Sequence, residues 1–180
     1  MTCIAAVVEG DRVFMGGDSA ASDGCDLVVR ADQKVFRNGP MLMGFAGSFR
    51  MGQLLRYSFT PPKHARRKDV HRYMVTDFVD AVRDCLKKGG FAQRLNEVEA
   101  IDGLFVVGYL GRLFTVDTDY QVGEAMDGFA AVGSGSSIAS GALYVTSGVS
   151  ARKRIRNALE AAERYSAGVR RPFYVQSIED

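Results

Sequence analysis

The chain has 180 residues, enough for one domain with a sizeable buried core. Apolar residues at 47% and charged residues at 24% are ordinary globular values, and a net charge of +2 gives no basis for a nucleic-acid or membrane partner. Three cysteines without metal-ligand spacing, two histidines seven apart and no apolar run of spanning length argue against a zinc site and a membrane helix, so a reduced, cytoplasmic protein is expected.

The pattern along the chain predicts mixed strands and helices. Residues 3–8 are near-continuously apolar, Glu9-Gly10-Asp11 is a turn, and residues 12–15 form a second short run, together a hairpin. Continuous rather than alternating apolarity implies that both faces of these strands are covered. The small, polar stretch 16–24 reads as a loop, followed by strand pieces at 27–29, 34–37 and 41–45. Ser48 is a plausible N-cap for a helix whose inner face is Met51, Leu54, Leu55 and Phe59, closed by Pro61-Pro62. The clearest helix is 69–88, with Val70, Met74, Phe78, Val82 and Leu86 at a four-residue spacing and Gly89-Gly90 at its end. Residues 91–101 read as a polar connection, strands resume at 104–110, 113–117 and 129–132, helices follow the serines at 134–137 and start again at Ser150, and 173–175 is a last strand. Basic runs at Lys63, Arg66, Arg67, Lys68 and at Arg152, Lys153, Arg154, Arg156 have no interleaved aromatics and read as solvated faces.

Runs of strands separated from pairs of helices indicate an α+β fold of antiparallel sheets. Strands covered on both faces fit two sheets packed together with helices outside each, a four-layer αββα sandwich over a single domain spanning 1–180.

Thr2 becomes a free N-terminal residue once Met1 is lost. Such a threonine carries its own base, because the hydroxyl is the nucleophile and the α-amino group, with a pKa near ~8, takes its proton. Asp18 follows two glycines that permit close backbone approach, and Lys34 opens a strand; read singly they are a turn former and a snorkelling lysine. Taken together, Thr2, the Gly-Gly-Asp18 loop, Lys34, the Gly-Phe-Ala-Gly47 strand end and the Gly-Ser134-Gly turn resemble the proteasome β-subunit family, nearest its bacterial HslV-type branch, within the N-terminal nucleophile hydrolases. Asp18 lies 16 residues after Thr2 and Lys34 16 after Asp18, as in that family.

The resemblance implies roles for particular positions. Thr2 is the nucleophile, Lys34 the cation beside it and Asp18 the carboxylate that pairs with Lys34. Gly47 supplies a backbone N–H to the oxyanion, Ser134 bonds the N-terminal amine, and Ser166 is a second supporting serine. Glu163 stands where the family has an aspartate. A peptide would lie extended between residues 19–22 and 47–49, so Ser19, Ala20, Ser22 and Ser48 are substrate-binding candidates. Phe45 either narrows the pocket for the residue before the cleaved bond or is an ordinary buried strand residue. The resemblance further implies stacked homo-oligomeric rings, subunit contacts through outer helices such as 69–88, unfolded protein or peptide substrates and, in many members, an ATPase unfoldase partner. It implies no organic cofactor and no side-chain metal ligands, and leaves open a cation held by backbone carbonyls near the C-terminal helix end. Ordinary methionine removal would then be the activating step.

Three other readings compete. Gly17-Asp18-Ser19 echoes the serine block of GDSL-type esterases, but no histidine follows His71 to complete their late Asp-x-x-His. A catalytically silent ring subunit, acting as scaffold or gate, has no need of Thr2, Asp18 and Lys34 together. Cys3 as nucleophile would shift both spacings by one residue.

Overall fold

A computed structural model describes residues 1–22, 25–91, 93–95 and 98–179, the side chains of 93–95 excepted. Thirteen β-strands and five α-helices are defined among these residues. One sheet has the order β12-β1-β2-β13, from Phe129–Val132, Ile4–Glu9, Arg12–Gly17 and Tyr174–Glu179. The other has the order β11-β10-β9-β6-β5, from Val122–Glu124, Arg112–Val116, Gly103–Tyr109, Met41–Gly47 and Val35–Asn38. All neighbouring strands in both are antiparallel.

The two-residue period of the strands sorts their side chains into separate clusters. In β1, Ile4 and Ala6 point into a cluster drawn from strands of both sheets and joined by Val13, Met15, Leu42 and Val106. Its other face sends Cys3, Ala5 and Val7 against α4 (Ser136–Val145) and α5 (Ala151–Tyr165), where Leu143, Ile155 and Leu159 are buried. In the second sheet Met41, Met43, Phe45, Phe105 and Val107 pack on helical residues Met51, Leu55, Met74, Phe78 and Leu86. The sheets meet closely enough that a β-carbon on Gly44 would come within 2.6 Å of Met15 Sδ and 2.8 Å of Ile4 Cγ2. Continuous apolarity in these strands is thus the signature of two covered faces, as expected from the sequence.

The β1–β2 hairpin turns at Gly10 with φ +62°, and the β9–β10 turn places Leu110 and Gly111 at φ 48° and 64°, the pair of left-handed residues that a two-residue hairpin favours. Ser48 caps α1 (Phe49–Tyr57) by accepting from the Arg50 N–H. Ser150, in contrast, makes no side-chain cap; Glu9 Oε1 accepts the Ala151 N–H at 2.9 Å instead.

The structure departs from the sequence pattern in four places. The stretch read as a loop contains the end of β2 and a strand, β3 (Ala20–Ser22), paired with β4 (Leu27–Val29); Asp23 and Gly24 of that loop lie outside the described residues. The helix at 69–88 is interrupted: α2 (Val70–Tyr73) runs through a π-helical segment (Met74–Phe78) into α3 (Val79–Lys88). Side chains spaced strictly by four drift around an α-helix of 3.6 residues per turn, and one wider i→i+5 turn brings them back to the sheet. Within 91–101, described residues form β7 (Gln93–Leu95) and β8 (Val98–Ala100), while 92, 96 and 97 lie outside the described residues. The short strand β11 carries too little apolar pattern to be seen in the sequence. Among the described residues no helix is long and apolar enough to cross a membrane.

Candidate active site

Register brings the site together. Antiparallel pairing sets Ile4 opposite both Val132 and Gly17, so the same register carried past the strand ends sets Thr2 opposite Ser134 and Cys3 opposite Asp18. The pairing continues there: Asp18 N–H donates to Cys3 C=O at 3.2 Å, and Gly135 N–H donates to Thr2 C=O at 3.1 Å. Lys34 arrives from the second sheet, at the head of β5, its carbonyl accepting the Phe45 N–H.

Among the described residues, the buried polar and charged side chains are Thr2, Asp18, Ser19 and Lys34, at 2%, 1%, 2% and 1% exposure. Three of them form a chain of contacts. Lys34 Nζ donates to Thr2 Oγ1 at 2.9 Å and to Asp18 Oδ1 at 2.8 Å. Asp18 also accepts the backbone N–H groups of Cys3 at 3.0 Å, Ala20 at 2.9 Å and Arg170 at 3.2 Å. The buried Asp18 carboxylate thus has four donors, and the buried ammonium beside it is paired rather than isolated. Burial pushes the Lys34 pKa below the ordinary lysine value, while the Asp18 charge and hydrogen bond pull it back up. The lysine is therefore a donor whose proton is held less tightly than in water.

Thr2 N–H donates to Ser134 Oγ at 3.1 Å, and Ser134 Oγ donates to Thr2 C=O at 3.3 Å. Gly133 has φ +98°, and a β-carbon there would overlap the Thr2 carbonyl, so the chain can turn past Thr2 only with glycine. Met1 is attached to Thr2, and its carbonyl accepts from Thr2 Oγ1 at 2.6 Å. Gly47 sits on the rim at the end of β6 with φ +103°, lining the cleft that holds Met1 and Thr2.

The other predicted positions are placed as follows. Ser19 Oγ donates to Pro172 C=O at 2.7 Å, its N–H to Arg170 C=O, and its carbonyl accepts from Arg30, which leaves its main chain already engaged. Ala20 and Ser22 lie in β3, and Ser22 lines the cleft beside Met1. Phe45 is buried edge-on to Phe49, with ring centroids 5.5 Å apart. It walls a cavity of about 110 Å³ together with Gly52 and Tyr57. Ser166 is the C-cap of α5, donating to Ala162 C=O and accepting from Val169.

Glu163 is engaged by Arg171. Its carboxylate accepts from the Arg171 N–H at 2.9 Å and from the Arg171 guanidinium at 2.7 Å, and this partner holds its pKa below the usual carboxylate range. The ion pair ties α5 to the segment whose Arg170 N–H reaches Asp18. That segment was invisible in the sequence because it reaches Asp18 and Ser19 only through backbone atoms. Cys3 is buried and its thiol is pushed up to about 12, mainly by desolvation and then by the Asp18 charge, so it holds its proton at neutral pH and is a poor nucleophile.

No family model matches the sequence. The structure is similar to that of BPH from Thiobacillus denitrificans in complex with epoxomicin, with TM-score 0.81 and 22% identity over 99% of this chain and 98% of that one. It is similar to the HslV of Trypanosoma brucei, with TM-score 0.69 and 22% identity over 99% and 100% of the two chains. The Gly-1 mutant of Anbu from Hyphomicrobium sp. strain MC1 matches with TM-score 0.67 and 18% identity over 99% and 82%. Mixed helices and antiparallel sheets in this arrangement, shared end to end with these structures, give the chain the fold of the HslV-type, proteasome-like proteins.

Proposed function

We propose that the chain is an N-terminal threonine peptidase subunit of a proteasome-like compartmentalised protease, active once Met1 is removed. The observation that carries this reading is the buried Thr2–Lys34–Asp18 contact, 2.9 and 2.8 Å long, with Ser134 on the Thr2 nitrogen. With Met1 gone, Thr2 Oγ1 attacks the carbonyl carbon of a peptide bond and its proton passes to the Thr2 amine. The Lys34 ammonium stabilises the developing alkoxide and favours the neutral form of that amine. The Gly47 N–H faces the oxyanion. The amine then protonates the leaving nitrogen, giving an acyl ester on Thr2, which water cleaves with the amine again as base.

The three apolar clusters fit a four-layer αββα sandwich over one peptidase domain. A peptide lies along β3 and the 47–49 segment, and Phe45 limits the size of the side chain before the cleaved bond. Rings of identical subunits, fed unfolded chains by an ATPase in the cytoplasm, complete the reading. Turnover of a fluorogenic peptide amide by protein shown by intact mass to lack Met1, blocked by epoxomicin and abolished in Thr2→Ala, is the expected result. No turnover from Met1-free protein overturns it.

A second reading, a silent scaffold or gate subunit, is favoured by the Met1 contact. With Met1 attached the Thr2 nitrogen is an amide without basicity, and its hydroxyl is spent on the Met1 carbonyl.

A further inference from the structure

Met1 is seated against the residues around Thr2. Its side chain rests on Gly168: a β-carbon at that glycine would overlap Met1 Cβ and come within 2.6 Å of its sulfur. Its carbonyl takes the Thr2 hydroxyl, and the following peptide N–H is held by Ser134 Oγ. The Thr2 carbonyl is bonded in turn by Gly135 N–H and Ser134 Oγ, so both ends of Thr2 are tied down. Thr2 is 2% exposed although Met1 itself is 42% exposed.

Met1 also divides the cleft. A cavity of about 310 Å³ lies on the side of Ser22 and Val28, and one of about 410 Å³ on the side of Leu104 and Ser136. The residues common to both are Met1 and Gly47. Met1 is the partition between the two halves of a groove that would otherwise run past Thr2.

We infer that Met1 is a plug locked in by folding: an aminopeptidase removes it from the unfolded chain, and a chain that folds first keeps it and stays capped. An exopeptidase must draw the Met1–Thr2 bond into its own site. In the folded chain this requires lifting Met1 off Gly168 and breaking the Ser134 bonds on either side of Thr2. Cleavage then tracks the small population of opened chains. With roughly three hydrogen bonds to open, release from the folded chain is slower than from an unstructured peptide by about 30-fold or more. The inference rests on the peptidase reading only for its consequence, since capping matters if Thr2 is the nucleophile.

The test uses full-length chain made with its methionine aminopeptidase inhibited, so that Met1 is retained, and a synthetic peptide of residues 1–8 as the unstructured reference. Both are treated with purified methionine aminopeptidase, and loss of methionine is followed by intact mass. Release from the folded chain about 30-fold or more slower than from the peptide is expected. In Gly168→Ala, whose new methyl group evicts the Met1 side chain, release from the folded chain should recover by about 10-fold. Thermal melting of Met1-free Gly168→Ala at the same temperature as Met1-free wild type shows that the variant folds. Release from folded wild type within about threefold of the peptide overturns the lock, as does methionine loss without added enzyme, or no acceleration in a folded Gly168→Ala. Mass reports only on Met1, so a gated Met1 with no turnover after its removal would remove the peptidase reading and leave the lock standing.

Discussion

Asp18→Asn is the sharpest test of how the site is held. The two side chains are nearly the same shape, but one carboxylate oxygen becomes an NH₂ donor. Asp18 Oδ1 accepts from Lys34 Nζ and Cys3 N–H, and Oδ2 accepts from Ala20 and Arg170 N–H. Whichever way the amide turns, two buried donors face another donor, each at a cost of about 1–3 kcal/mol. Lys34, fully buried, also loses its counter-charge; removing one partner of a buried pair costs about 3–5 kcal/mol. The two figures describe overlapping losses, so about 4 kcal/mol is expected in total. For a domain of this size that is a fall in Tm of roughly 10 °C. Urea denaturation of Asp18→Asn, Lys34→Met and the double variant measures both the cost and the coupling. Removing the lysine relieves the stranded charge, so the double variant should be about 1–3 kcal/mol more stable than the sum of the singles predicts. Additive single costs, or an Asp18→Asn penalty under about 1 kcal/mol, would refute the picture of a carboxylate that the buried lysine depends on.

The lowered pKa of Lys34 makes a pH prediction. An unfolded lysine titrates at about 10.4, the folded one lower, so between the two values the unfolded chain binds more protons and stability rises with pH. Wild type should therefore gain on Lys34→Met as urea midpoints are compared from near neutrality up to about pH 10; a difference that shrinks with pH would contradict the shift. Thiol alkylation of the native protein should label exposed Cys25 and spare Cys3, whose thiol is buried and protonated; labelling of Cys3 by peptide mapping would reopen it as a nucleophile. Glu163→Gln keeps the shape of a side chain whose charged partner, Arg171, is largely exposed, so it should cost under about 1 kcal/mol and leave peptide turnover within a few-fold. A loss of two orders of magnitude would give Glu163 a direct role at Thr2.

Much of the fold was legible because it rests on periodicities that a sequence carries openly. Strands apolar at every position announced two covered faces, and the alternation of Ile4 and Ala6 with Cys3, Ala5 and Val7 shows why. What stayed hidden depends on pairing. Ala20–Ser22 has the composition of a loop and is a strand only because Leu27–Val29 lies beside it. The four-residue apolar spacing of 70–86 gave the helix but not its π segment, since the spacing needs a sheet to face before its drift matters. In the site, Thr2, Asp18, Lys34 and Ser134 could be named from the sequence because together, at that spacing, they resemble a family pattern, although singly each has an ordinary structural reading. Gly168 and the Arg170 N–H act through backbone, which any residue possesses, whereas Gly133 was visible only as part of the Gly-Ser134-Gly turn.

The Arg170 contact also sets a clock. Asp18 receives its fourth donor, and Ser19 its Arg170 and Pro172 partners, from a segment made more than 150 residues after them, just ahead of the strand that closes the first sheet. At about 5–20 residues per second, roughly 10 to 30 seconds of synthesis separate the appearance of Thr2 from that of the segment that completes its surroundings. During this interval the amino terminus has no finished place to go. On the capping proposal, translation speed sets the time open for removing Met1 before the fold closes over it, and the contacts of the folded subunit set what happens afterwards.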